Sequence, residues 1–460
     1  MYLSKALTND LGRDRIGRLL FRLALPSILA QLINALYNIV DRMYIGRIPD
    51  IGATALTGVG VTFPIVMIIS AFSALIGMGG APRAAIKMGE GKNEEAARIL
   101  GNCFAALLGI SVLLTVVFIL FRDPLLLCFG ASQETLPYAS SYLLIYVSGT
   151  VFVQLALGLN PFINAQGFAK TGMLTVLIGA VLNIVLDPIF IFGLGMGVQG
   201  AAIATILSQA VSALWVLLFL CGRRTRLRIR FQNMRPRASI LLPVLALGLS
   251  PFIMQSTESL VNIALNASLQ RYGGDSAVGA MTICSSVLQF LLMPVTGLTQ
   301  GASPIVSYNY GARNTHRVRR AFRLIFLWSI CISTICWLAL MLFPGAFVAI
   351  FSDDPALTEK AVWAIRIFTG CLFALGVQFS CQQTFVALGQ AKTSLFLALL
   401  RKVFLLIPLI FILPLFFADK VFAVFLAEPV ADLLASATTG TVFFIRFKGI
   451  LAKSPPQQGV

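Results

Sequence analysis

The sequence predicts an all-α polytopic membrane protein with about twelve transmembrane helices in two six-helix lobes related by a parallel internal repeat. Three observations carry this. Hydrophobic residues make up 58% of the 460 positions and charged residues 12%, where an ordinary globular domain has roughly 25% charged. So few polar groups cannot cover a water-facing surface. Apolar runs of about 20 residues, the length that crosses a hydrocarbon core, recur along the chain. Short segments also repeat at one constant spacing across the two halves.

The apolar runs lie approximately at 18–45, 54–80, 97–120, 138–158, 170–192 and 198–221, then at 241–269, 277–303, 321–343, 361–386, 393–416 and 420–446. No small-residue cleavage pattern follows the first run, so it is read as a retained helix. Lys5, Arg13, Arg15, Arg18 and Arg22 precede or open it. Basic clusters then fall in alternate loops: Arg83, Lys87, Lys92 and Arg98; Lys170; Arg223, Arg224, Arg226, Arg228, Arg230, Arg235 and Arg237; Arg313, Arg317, Arg319, Arg320 and Arg323; and Lys448 and Lys453 in the tail. The intervening turn Gly193 to Gly200 has none. This alternation predicts an even number of spans with both termini in the cytoplasm of a plasma-membrane protein. It also accounts for the net charge of +17 without nucleic acid as a partner. The bilayer is the expected surrounding, and the chain is read as a monomer.

The long Arg run divides the chain into an N-terminal lobe (1–221), a basic linker (222–240), a C-terminal lobe (241–446) and a tail (447–460). Pro82 and Pro304, and Gly89 and Gly311, each differ by 222, and Ala165 to Thr171 matches Ala387 to Thr393 at the same offset. Six spans per repeat gives both halves the same orientation, a transporter arrangement with binding at the repeat interface. No filter sequence of a channel is visible.

Polar residues inside the spans mark candidate sites, because a charge at the bilayer centre costs about 2.5–3.5 kcal/mol on insertion scales. In the first span Asn34, Asn38 and Asp41 share one face with Tyr37. In the fifth, Asn183 lies one turn before Asp187. Helical rise places Asp41, Asp187 and Thr205 of the sixth span at a similar outer depth, so Asp41, Asn183, Asp187 and Thr205 can meet in one cavity. The seventh span carries Glu258 with Gln255, Asn262 and Asn266, and Pro251 is placed to kink it. Arg401 and Lys402 sit inside the eleventh span, with no partner assignable. Plainer readings stay open: an Asp41–Arg42 ion pair, a helix-end role for Asp187 before Pro188, a neutral hydrogen-bonded Glu258, and simple interhelical bonds for Asn183 and Thr205. At the 222 offset Asn183 and Asp187 fall on Leu405 and Leu409, so the acidic site is expected to be one-sided. The eight cysteines lack paired spacing and read as buried small hydrophobes. The single histidine, His316, excludes a histidine-based metal site.

Leu23-Ala24-Leu25-Pro26 with Asp41, Gly46 and Arg47, Met88 to Lys92, Asn160-Pro161 through Thr171, Asn183 to Pro188, Gly200 to Thr205, and Gly311 to Asn314 follow one another in an order and spacing that resembles the multidrug and toxic compound extrusion (MATE) family. The likeness is greatest to the bacterial branch of DinF-like and MepA-like exporters. It implies a two-lobe antiporter that exports organic cations in exchange for H⁺ or Na⁺, with no cofactor. It implies further that Asp41, Asn183 and Asp187, joined in some members by Thr205, form the N-lobe proton or cation site. Asp41, Asn183 and Asp187 are then the candidate Na⁺ ligands. Asn34, Tyr37, Asn38, Gln255, Glu258 and Asn262 are the candidate lining of the substrate cavity. NorM-like members also use acids of helices seven and ten for a C-lobe sodium site. Here the tenth span has no internal carboxylate after Glu359, so that design is not expected.

The chief rival is a lipid-linked oligosaccharide flippase of related fold, for which only Arg401 and Lys402 speak. A major-facilitator transporter lacks support, because its Gly-rich basic motif is absent from Pro82 to Asn102. An enzyme is not expected either, for want of a His/Cys/Asp cluster.

Overall fold

The computed structural model describes residues 9–223, 225–351 and 354–452. Lys5, Arg224 and Lys453, counted above among the basic residues, lie outside them. Among the described residues there are twelve spanning units, with the run 238–311 divided at Gly274. They are α1 (Ile16–Gly46), α2 (Gly52–Gly89), α3 (Asn93–Leu120), α4 (Leu136–Ser148 and Thr150–Ala165), α5 (Ala169–Gly193) and α6 (Gly197–Cys221). Then come α7 (238–273), α8 (275–311), α9 (Thr315–Leu342), α10 (Pro355–Phe368 and Leu372–Ala387), α11 (Ala391–Leu415) and α12 (Lys420–Ala452).

Two of these are bent within the span, by 58° in α4 and by 43° in α10. Helices α7 and α8 form one hydrogen-bonded run that breaks at Gly274, where φ is 65° and ψ is −166°. Val261, Leu265 and Leu269 share a core with Ala277, Met281 and Cys284, so the chain reverses there. A left-handed φ of this kind is the conformation glycine adopts without steric cost. Backbone torsions stay helical through Pro251, so the helix is not broken there.

The repeat is visible in backbone geometry. Gly91 and Arg313, 222 apart, both have positive φ (79° and 57°), as do Gly167 and Gly389 (89° and 71°). The turns around them reproduce the same bonds: Lys92 N–H donates to the Lys87 carbonyl and Asn314 N–H to that of Asn309, each at 2.9 Å.

Hydrophobic cores fill each half, and one core joins them. Leu11, Ile16, Leu19, Leu20, Leu23 and Ala24 pack with Leu298, Ile305, Phe322, Phe385 and Phe443. The first half of α1 therefore belongs to the C-terminal lobe's core, while its second half lies against α5. Outward-facing apolar side chains such as Leu120, Leu218, Ile335, Leu342 and Ile445 are exposed, as lipid-facing residues are.

The lobes meet closely at the basic-loop end. A Cβ on Gly89 would strike the Tyr308 carbonyl, and one on Gly311 would strike that of Ile86. Gly248 meets Leu75 and Gly79 meets Val244 in the same way, backbone against backbone. Further along, Gly297 and Gly301 admit Ile28, Leu23 and Ala24 of α1, and Gln31 bonds Gln300 at 3.1 Å. Beyond that contact, Asn34 and Asn38 of α1 and Glu258 of α7 are exposed.

Candidate functional site

Helix α5 is apolar except on one narrow face, and that face meets α1 and α6. Asp187 is 0% and Asn183 2% exposed. The Asn183 amide donates to Asp187 Oδ1 at 3.1 Å and to Thr205 Oγ1 at 3.4 Å. The Asp41 carboxyl lies beside that of Asp187. The four expected residues thus form one cluster. Asp41 Oδ1, Asp187 Oδ2 and Asn183 Oδ1 are buried and have no protein partner. Two carboxyls in mutual contact are a stable arrangement only when a proton or a cation lies between them.

Local chain features hold the cluster in place. Immediately after Asp187-Pro188, α5 widens into a π-helical turn over Ile189–Gly193. Gly200 lets α6 touch the backbone at Phe190. Arg42 stands 5.2 Å over the Phe63 ring, and no ion pair joins it to Asp41 among the described residues. Tyr37 lies beside both aspartates. Tyr142 of α4 lies beside Asp41, Tyr146 and Thr205. Sequence reasoning did not single out Tyr142; Tyr138, Tyr142 and Tyr146 at helical spacing were its only trace.

A second set of buried charges, of mixed sign, lies in the other lobe; the acid pair itself is not repeated there. Lys402 Nζ pairs with Glu258 Oε2 at 3.0 Å. Arg401 pairs with Asp432 Oδ1 at 2.8 Å and with Glu428 Oε1 at 3.5 Å. Both cations lie on a π-helical turn, Leu400–Leu406, and both are buried. On a regular helix adjacent residues point about 100° apart. The seventh, eleventh and twelfth helices thus repeat the helix usage of Asp41, Asn183–Asp187 and Thr205, with mixed charges instead of an acid pair. The Glu258 side chain is 54% exposed, so it faces open space while Lys402 holds it from behind. Gln255 and Asn262 flank it on α7, half-buried.

Among the described residues no group of three or more His, Cys, Asp or Glu side chains could hold a metal ion. The first-lobe cluster offers two carboxylates, an amide and a hydroxyl, all oxygen acceptors on the side facing Asp41.

The family model described as MatE matches residues 26–189 and again 251–412. The chain belongs to the MatE family. That the model matches twice follows the 222-residue repeat. The multidrug export protein MepA of Staphylococcus haemolyticus (strain JCSC1435) is 25% identical to this MatE chain over 422 residues, covering 91% of the chain and 92% of that protein. MepA of Staphylococcus aureus (strain N315) is 25% identical over 427 residues, covering 92% and 93%. Among solved structures, a MATE in the bent conformation superposes with a TM-score of 0.90 at 24% identity, covering 99% of each chain. An outward-facing MATE transporter of the MOP superfamily gives 0.89 at 24%, covering 96% and 98%. The twelve-helix, two-lobe fold of this MatE chain is therefore the MATE fold.

Proposed function

We propose that this MatE protein is a secondary active multidrug exporter that exchanges amphipathic organic cations for H⁺ or Na⁺ entering through the first lobe. The observation that carries the reading is the contact between Asp41 and Asp187 inside an apolar lobe. An ion or proton placed there removes a charge conflict, and its loss restores the conflict. Such a site has different affinities in different arrangements of α1 against α5 and α6, which is what coupling requires. Asn183 and Thr205 orient the carboxyl of Asp187. Asn34, Tyr37, Asn38, Gln255, Glu258 and Asn262 line the cleft between the lobes, and Glu258 supplies its exposed carboxylate to the cationic group of the cargo. The moving units are the N-terminal lobe, up to residue 221, and the C-terminal lobe, 241–446, with the segment before α1 moving with the latter. The termini and the basic loops face the cytoplasm of the plasma membrane, so the closed end is the cytoplasmic one and cargo leaves on the other side.

The flippase reading rested on Arg401 and Lys402. Both are committed to carboxylates within the lobe, so neither is free for a pyrophosphate. The test is efflux of a cationic dye from proteoliposomes under a pH gradient or a Na⁺ gradient imposed separately. Asp41→Asn and Asp187→Asn are expected to abolish gradient-driven efflux. Efflux with unchanged ion dependence in Asp187→Asn sinks the proposal.

A further inference from the structure

We propose that the first lobe contains a hydrated polar path that carries a proton from the Asp41–Asp187 site to the basic-loop end, by way of Asn160 and Asn164. The inference rests on the coupling role assigned above to the two aspartates, and adds the route and the chemical nature of the ion.

Two small cavities mark the path. One, of about 40 Å³, lies beneath the acid pair and is lined by Asn34, Tyr37, Asn160, Asn183, Thr205 and Ser208, among others. The other, of about 80 Å³, lies between the lobes near the basic-loop end, with Asn164, Gln300, Ser303, Ser307 and Gln383 in its wall. Each exceeds the roughly 10–15 Å³ that one water needs. Asn160 and Asn164 are one turn apart on α4, and each faces one cavity.

Along this line buried oxygens lack protein partners: Asp187 Oδ2, Asn183 Oδ1, Ser208 Oγ, Asn160 Oδ1 and Asn164 Oδ1. Unpaired polar atoms are costly in an apolar interior, and water is the partner that a polar cavity admits. The orphans occur in succession from the acid pair to the neck between the cavities. Simple interhelical bonding would have paired them.

The neck is at Gly172. The Asn160 amide donates to the Gly172 carbonyl at 3.2 Å. A Cβ on Gly172 would collide with Asn164 Oδ1 and come within 3.2 Å of Asn160 Oδ1. The α5 face from Gly172 through Thr175, Gly179 and Asn183 to Asp187 is small or polar, and spans about 22 Å at 1.5 Å per residue. Gly179 likewise leaves room for Ser212 Oγ, which any Cβ there would crowd. At this neck even a Cβ on Gly172 would collide with Asn164 Oδ1, so there is no room for a hydrated metal cation. The neck suits a proton passed between waters and amide oxygens. The proton leaves the aspartate pair as hydronium and is replaced from the other side when the site is next exposed, so charge balances over a cycle.

The experiment uses the full chain in proteoliposomes, with tetraphenylphosphonium as cargo and a trapped pH dye reporting proton release. Gly172→Ala, Asn164→Leu and Ser208→Ala are compared with the unaltered protein and with Asp187→Asn. The three path variants are expected to slow proton release by about tenfold or more, to raise the solvent deuterium isotope effect, and to leave tetraphenylphosphonium affinity in detergent unchanged. Asn164→Leu is near-isosteric and Ser208→Ala adds no bulk, so the test stands if Gly172→Ala fails to fold. Loss of coupling in Asp187→Asn with wild-type proton release in the folded path variants overturns the path alone. Coupling that survives Asp187→Asn overturns the aspartate reading and the path with it. Transport driven by Na⁺ without proton movement also overturns the path.

Discussion

Arg401 shows how a single residue is fixed by its neighbours. It is 6% exposed, held by Asp432 at 2.8 Å and by Glu428 at 3.5 Å. Removing one partner of a buried pair leaves an uncompensated charge and costs about 3–5 kcal/mol. Asp432→Asn is therefore expected to lower the melting temperature of the purified protein by several degrees. Replacing the whole set, as Arg401→Met with Glu428→Gln and Asp432→Leu, is expected to recover most of that loss, because well-packed uncharged residues substitute for buried ion pairs at little cost. Melting curves of the two variants in one detergent check this, and equal losses would contradict it. Glu428 and Asp432 carry the signal that made Asp187 legible, carboxylates in an apolar span. They went unnoticed because the repeat sets them opposite Ile206 and Ala210, with no acid to match. Tyr142 was barely legible: the helical spacing of Tyr138, Tyr142 and Tyr146 was its only trace, and tertiary packing sets its place beside Asp41 and Thr205.

At the scale of elements, the interlobe contacts are made by glycine. Gly89 and Gly311 are repeat partners, and each meets the backbone of the other's helix. Gly248 sits so close to the Leu75 carbonyl that no Cβ fits without moving a helix. Gly248→Ala is expected to wedge α7 from α2 and open the basic-loop end. Spin labels on the α2–α3 and α8–α9 loops would then show a longer distance distribution, while helix content stays the same. An unchanged distribution would mean that the lobes do not close through this contact. The apolar runs made the twelve spans legible, with ends as much as nine residues short where the helices run on past the apolar stretch, as α2 does to Gly89. The repeat located these glycines at Gly89 and Gly311, and hydropathy separated α7 from α8. The bends were not legible. Gly149 lies in the break of α4, where a Cβ would strike the Ile206 side chain of α6, and only tertiary packing specifies that.

Across the whole molecule, the two lobes are tied by the segment before α1. The Asn9 amide donates to the Gly167 carbonyl in the α4–α5 turn at 2.9 Å. Two residues on, the Leu11 carbonyl accepts from Asn309 at 2.9 Å and from Arg317 at 3.1 Å. Arg317 also donates to the Asp14 carbonyl at 2.8 Å and to Asn309 Oδ1 at 2.9 Å. Leu11 itself is 3% exposed, inside the core shared with α8 and α9. A segment of a few residues thus bonds the N-terminal lobe on one side and the C-terminal lobe on the other, at the end where the lobes touch. Any motion that parts that end must break either the Gly167 bond or the Arg317 set. The Arg317 set is the stronger, since hydrogen bonds from a charged donor contribute about 1.5–3 kcal/mol each. The Asn9 bond is neutral and single, so the segment is expected to travel with the C-terminal lobe. Asn9→Ala removes the bond that opening breaks, about 1 kcal/mol for a neutral hydrogen bond, and is expected to lower the closed population about fivefold relative to the open one. Arg317→Ala leaves that bond in place and is expected to shift the same balance by less. Cysteine cross-linking between the α4–α5 turn and the start of α9 measures it: yield should fall in Asn9→Ala and fall less in Arg317→Ala. Equal yields in all three proteins would show that the segment follows the lobes without holding them.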